Sequence, residues 1–120
     1  MASTPLSVST SVTSNFQTVI AIDTPLISAT LNIRFLLNNM DISSKLQAAI
    51  VPLSFDNNSD TVASSQWLQP VDIILGPAGV TVGIVEDTGV VILAGYKLIA
   101  KVDTGVITCR AHGFGRMPGA

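Results

Sequence analysis

From residue 26 to residue 37 every second side chain is apolar. Ile27, Ala29, Leu31, Ile33, Phe35 and Leu37 form one set, while Ser28, Thr30, Asn32 and Arg34 fill most of the other. A period of two sends the two sets to opposite faces of a β-strand, whereas a helix would scatter both around its axis. One apolar and one polar face is the pattern of an antiparallel sheet with a core on one side. Asp23-Thr24-Pro25 before the run and Asn38-Asn39 after it supply turn chemistry.

The rest of the chain repeats this motif in shorter pieces. Phe16 to Ile22 reads as a strand, and Leu6, Val8 and Val12 alternate with serine and threonine near the start. That first stretch has two open readings, the first strand of the domain or an arm that pairs with a neighbouring molecule, because few apolar residues hold it to its own core. Between Lys45 and Leu53 a helical spacing (Ile42, Leu46, Ala49, Ile50) competes with a strand spacing (Leu46, Ala48, Ile50), and Pro52 favours the strand. Ser54 to Ser65 is a long polar loop. Strands are then expected over 66–75, 80–85, 90–93, 96–102 and 106–114, separated by turns at 76–79, 86–89, 94–95 and 103–105 that each contain glycine. Asp103-Thr104-Gly105 is expected to close a three-residue hairpin.

Regularly spaced short strands with glycine turns predict an all-β chain, an antiparallel β-sandwich or jelly-roll-like barrel of about eight strands. At 120 residues the chain is expected to form one domain over residues 15–114, with residues 1–14 as arm or first strand and 115–120 as a C-terminal tail.

Composition limits the function. Charged residues make up 12% of the chain and apolar residues 48%, against roughly 25% charged in an ordinary domain, so the surface carries little protection against meeting copies of itself. The net charge is -2 and the six basic residues, Arg34, Lys45, Lys97, Lys101, Arg110 and Arg116, are scattered along the sequence, which argues against binding nucleic acid or an anionic membrane. The start lacks the basic and continuous apolar regions of a secretory signal, and no apolar run approaches the roughly 20 residues of a membrane span. The expectation is synthesis in a cytoplasm, consistent with a single cysteine, Cys109.

The motifs that suggest chemistry are each outweighed by a plainer reading. Asp87-Thr88-Gly89 and Asp103-Thr104-Gly105 both spell the aspartic-protease triplet, but valine follows each copy and the apolar buttress candidate 73–76 precedes both; aspartate and glycine are also turn residues. Asp56, Asn58 and Asp60 alternate like calcium ligands, yet Thr61 and Trp67 stand where an EF-hand needs glycine and glutamate. Cys109 and His112 are three apart on an expected strand and so face opposite ways, which does not suit one zinc ion. Trp67, Tyr96 and Phe114 are candidates for a sugar-stacking platform or for the core. No catalytic set, cofactor motif or metal site is expected.

Asn32-Ile33-Arg34, Pro77-Ala78-Gly79-Val80, the run from Thr88 to Gly95, Asp103-Thr104-Gly105-Val106 and the ending Arg110-Ala111-His112-Gly113-Phe114 resemble, in order and spacing, small structural proteins of tailed bacteriophage particles. The resemblance spans roughly residues 29–114 and implies a β-sandwich subunit, commonly trimeric, attached to the outside of a capsid or to the tail and fibre apparatus. It implies partners among further copies and other virion proteins such as the major capsid or tail protein. On that reading the ends of the chain make the contacts, through Leu6, Val8 and Val12 of the first stretch and His112, Phe114 and Arg116 of the last. Removing residues 1–14 is then expected to leave the domain folded. The second reading is a receptor- or glycan-binding tip of a fibre, with Trp67 as its candidate.

Overall fold

The structure is a computed structural model and describes residues 2–39, 41–68, 73–77 and 83–118. Its strands are β1 (Ala2–Val12), β2 (Gln17–Ile22), β3 (Ser28–Leu37), β4 (Ser44–Pro52), β5 (Ile73–Leu75), β6 (Ile84–Leu93), β7 (Tyr96–Val102) and β8 (Ile107–Met117). They form two antiparallel four-stranded sheets in the orders β1-β8-β3-β6 and β2-β7-β4-β5. The first strand lies beside the last, the second beside the seventh, the third beside the sixth and the fourth beside the fifth. This is one long antiparallel hairpin wrapped around a core, the connectivity of a jelly roll.

The alternation read along β3 is the alternation observed: Ala29, Leu31, Ile33, Phe35 and Leu37 are buried, and the residues between them face out. With Leu46, Leu75, Ile92, Leu98, Val102 and Ile107 they fill the space between the sheets. β4 is a strand, and its competing helical spacing has a physical cause. Ala49 and Val51, on its outer side, are buried with Ile99 and Phe55 beneath the segment that follows, so β4 is apolar on both faces. That segment, polar in sequence, lies over the second sheet. The buried Lys97 ammonium donates to the Phe55 carbonyl at 2.8 Å, Phe16 meets Phe55 edge to face at 6.4 Å, and Lys101 sits 4.7 Å over the Phe16 ring.

Of the two readings of the first stretch the structure has the first strand: β1 pairs with β8 of its own chain from Ala2↔Met117 to Val12↔Ile107. Other expectations are corrected. Leu6 and Val8 are half-buried and pack inward on the core and Val12 is fully buried, so these three side chains help to hold the sandwich together. Residues 115–117 belong to β8, where a Cβ on Gly115 would meet Leu26 Cδ2 at 2.6 Å and Leu6 Cδ1 at 3.2 Å; the glycine is there to admit two leucines.

Glu86-Asp87-Thr88-Gly89 is not a turn between strands but part of β6. Leu31 pairs with Val90 and Ile33 with Asp87, so Thr88 and Gly89 bulge opposite Asn32, whose side chain accepts the Gly89 N–H at 3.0 Å. Asp103-Thr104-Gly105 is not a hairpin either, because β7 and β8 lie in different sheets; it is a corner, anchored by the Lys45 N–H on the Asp103 carboxylate at 2.7 Å. Of the strand expected over 66–75, Ile73–Leu75 pairs as a strand, Ser64–Gln66 is a 3-10 turn, Trp67 makes a bridge to Ala49, and residues 69–72 lie outside the described ones. The strand expected from residue 80 has its first three residues outside the described ones.

Candidate interaction face

Three strands with a strict period of two, held in register, turn the first sheet's outer surface into rows. Reading across β1, β8, β3 and β6, the rows are Ser3, Arg116, Ser28, Leu93; then Pro5, Phe114, Thr30, Val91; then Ser9, Arg110, Arg34, Glu86. Between the last two lie Ser7, His112, Asn32 and the bulge. A final row adds Ser11, Thr108, Leu36 and Ile84.

The upper two rows, which also hold Arg116, Ser3, Ser28 and Thr30, carry open apolar side chains. Phe114 is 62% exposed, Leu93 57% and Val91 56%, far more than a folded chain leaves of large apolar side chains when it can cover them. The face is also cationic. All three arginines of the chain and its one histidine point out from this sheet, although they are spread from position 34 to position 116 in sequence. Arg34 and Arg110 stand directly opposite one another on neighbouring strands, an arrangement that costs up to about 1 kcal/mol unless an anion intervenes. Glu86 answers one of them, its Oε1 accepting from Arg34 Nε at 2.7 Å. Arg110 has no acidic partner among the described residues.

His112, Phe114 and Arg116 of the expected interaction set therefore share one outward face. Leu6, Val8 and Val12 are separated from them by the thickness of β1. Sequence reasoning missed Arg34, Glu86, Val91, Leu93 and Arg110 as neighbours of Phe114. The outward sets of β3 and β8 were readable from periodicity, but which strands adjoin was not.

The chemical candidates resolve into structural roles. Asp87 belongs to the first sheet and Asp103 to the corner that follows β7, so their triplets occupy different surroundings. In the 56–60 loop the carboxylates turn on the loop's own amides: Asp56 accepts from Asn58 N at 2.9 Å and Asp60 from Asp56 N at 2.8 Å. The Asn58 amide, then the Ser59 hydroxyl and amide, lower the Asp56 pKa from its ordinary value. Among the described residues no cluster of three metal-ligating side chains occurs. Cys109 points into the core, where burial pushes its thiol up to about 12, while His112 on the same strand points out.

A second concavity lies beside β4, a cleft of about 480 Å³ between Trp67 and Tyr96 with Ile50, Pro52 and Gln66 on its walls. Trp67 is half-buried there and also packs on the small cluster of Ala49, Val51 and Ile99. The chain matches no protein-family model, no curated protein and no solved structure.

Proposed function

We propose that this chain is a non-enzymatic structural subunit of a bacteriophage particle, one that self-assembles and decorates or cements the capsid or attaches to the tail. The observation that carries the reading is the outer face of the first sheet, where Phe114, Val91 and Leu93 stand open beside arginines. Aromatic and arginine side chains together are what buried protein–protein contacts are enriched in.

The placement in a phage rests on the sequence resemblance. The jelly-roll connectivity is in keeping with it as an analogy of fold, since that architecture serves capsids, lectins and enzymes alike. The partners in this reading are further copies of the chain, three in the assemblies the resemblance implies, together with other virion proteins. Nucleic acid, membrane and cofactors play no part in it. The protein is made in the host cytoplasm and ends in the virion.

The test is the composition of purified particles from the source. Mass spectrometry is expected to find the chain at a fixed copy number, and image reconstruction to find its sandwich at a symmetric position. Particles that lack the chain refute the proposal.

The Trp67–Tyr96 cleft favours a second reading, a glycan-binding module, because aromatic rings stack on apolar sugar faces. A glycan screen without a binder, or unchanged adsorption in Trp67→Ala, counts against it.

A further inference from the structure

Two guanidiniums and the imidazole of the chain border one hollow on the outer face of the first sheet. Arg34 on β3 and Arg110 on β8 are register partners, and His112 lies two residues along β8 on the same side, opposite Asn32. Directly opposed side chains start about 5 Å apart, a step of two along a strand is about 6.7 Å and the diagonal is about 7–8 Å. Long side chains rooted in so small a triangle can converge on one point. Together they line a cleft of about 230 Å³, and no acidic side chain lines it among the described residues.

The charges around that cleft do not balance. Glu86, from β6, accepts the Arg34 Nε–H at 2.7 Å and so engages one edge of that guanidinium. Glu86 and Asp87 line the adjoining hollow on the β6 side, which His112 also borders. On the β8 side neither Arg110 nor His112 has a hydrogen-bond or ionic partner among the described residues. Two like charges directly opposed destabilise a strand pair, and each guanidinium carries N–H donors in a planar fork that matches the oxygens of a phosphate. An anion seated between them removes the repulsion and fills the donors.

We propose that this cleft binds a doubly charged phosphate-type oxyanion, held between Arg110 and Arg34 with the His112 ring on its third side. The inference goes beyond the assembly reading and does not rest on it. Free phosphate and the phosphoryl group of a small phosphomonoester share the required chemistry. A nucleic acid suits the face less well, because its diesters are singly charged and follow one another along a strand, whereas Phe114, Val91 and Leu93 occupy the rows beyond the cleft where further cations would be needed.

The test is an NMR titration, and the chain supplies its own reporter because it has one histidine. Sodium phosphate and glycerol phosphate are added in parallel at about pH 7.5, where both are largely doubly charged, with ionic strength held constant by sodium chloride. The His112 ring signals are expected to move saturably, with a Kd on the order of 1 mM for so exposed a site. Arg110→Gln should weaken binding at least about tenfold. Lys45→Gln, which removes a cation beside Lys101 on the second sheet, should leave it unchanged. Melting curves separate binding from folding. Without phosphate Arg110→Gln should melt no lower than wild type, since the substitution relieves the repulsion, and phosphate should raise the melting temperature of wild type alone.

Tighter binding of the ester assigns the site to a phosphomonoester, and equal or tighter binding of the inorganic ion assigns it to free phosphate. The proposal is overturned if neither anion moves the His112 signals beyond the chloride control up to about 50 mM. It is also overturned if Arg110→Gln binds as wild type does, or if a single-stranded oligonucleotide binds where neither small anion does. The assembly reading fails separately, on the composition of particles.

Discussion

Replacing Gly113 with alanine adds one methyl group where β8 lies directly against the backbone of β3. Gly113 pairs with Leu31 on one side and with Leu6 on the other. A Cβ built there would fall well inside the van der Waals shell of the Thr30 carbonyl oxygen and 3.0 Å from both Leu31 Cα and the Thr30 carbonyl carbon. All three are backbone atoms in the middle of a strand hydrogen-bonded on both sides, so no rotamer change relieves the contact. Overpacking costs about 1–3 kcal/mol even where side chains can shift, and a backbone clash belongs at the upper end, about 3 kcal/mol.

For a chain of this size roughly 4 °C of melting temperature accompanies each kcal/mol, so Gly113→Ala is expected to melt about 12 °C below wild type. It should still fold, because domains of this length hold about 6–18 kcal/mol. Gly89→Ala is the control. Gly89 has a positive φ of 66° and nothing within 4 Å of its Cβ position, so only the conformational penalty of about 1–2 kcal/mol applies. Thermal melts followed by circular dichroism measure both. The reasoning is refuted if Gly113→Ala melts within about 2 °C of wild type, or if Gly89→Ala is the more damaging of the two.

Deletion of residues 1–14 should remove the buried Val12 and leave β8 an open edge, and the expected outcome is an unfolded or aggregated chain with collapsed NMR dispersion, not a competent domain. Lys97→Ala takes away the buried ammonium that holds the Phe55 carbonyl; a loss of about 1–3 kcal/mol should come with faster proteolysis within residues 53–66, and unchanged proteolysis would show that the lysine does not hold that segment. Cys109 should resist thiol reagents at pH 8 until the chain opens. Its folded pKa of about 12 stands above an unfolded value near about 8.5, so the folded state holds its proton longer; stability is fully present below the unfolded value and falls as pH rises from about 9 towards 12, measurable as a falling urea midpoint absent from Cys109→Ala.

Local pattern settled what local physics controls. The period of two along β3 fixed which of its faces is buried, because a strand cannot turn alternate residues any other way. Long-range pairing lay beyond it. The serine-rich first stretch has the same alternation whether it adds to its own sheet or to another, and only its register against β8 decides that Leu6, Val8 and Val12 are core. Asp87-Thr88-Gly89 has the composition of a turn, yet the strand opposite it continues, so the extra residues become a bulge.

The candidate face shows the same division. That Arg34, Arg110 and Phe114 face outward follows from their own strands. That they share a face with Glu86 and Val91 depends on β8 inserting between β1 and β3 and on β6 closing the other side, contacts separated by many tens of residues in sequence. Charge that looks scattered along the chain is therefore gathered in space, because a wrapped hairpin brings the two halves of the sequence together strand by strand.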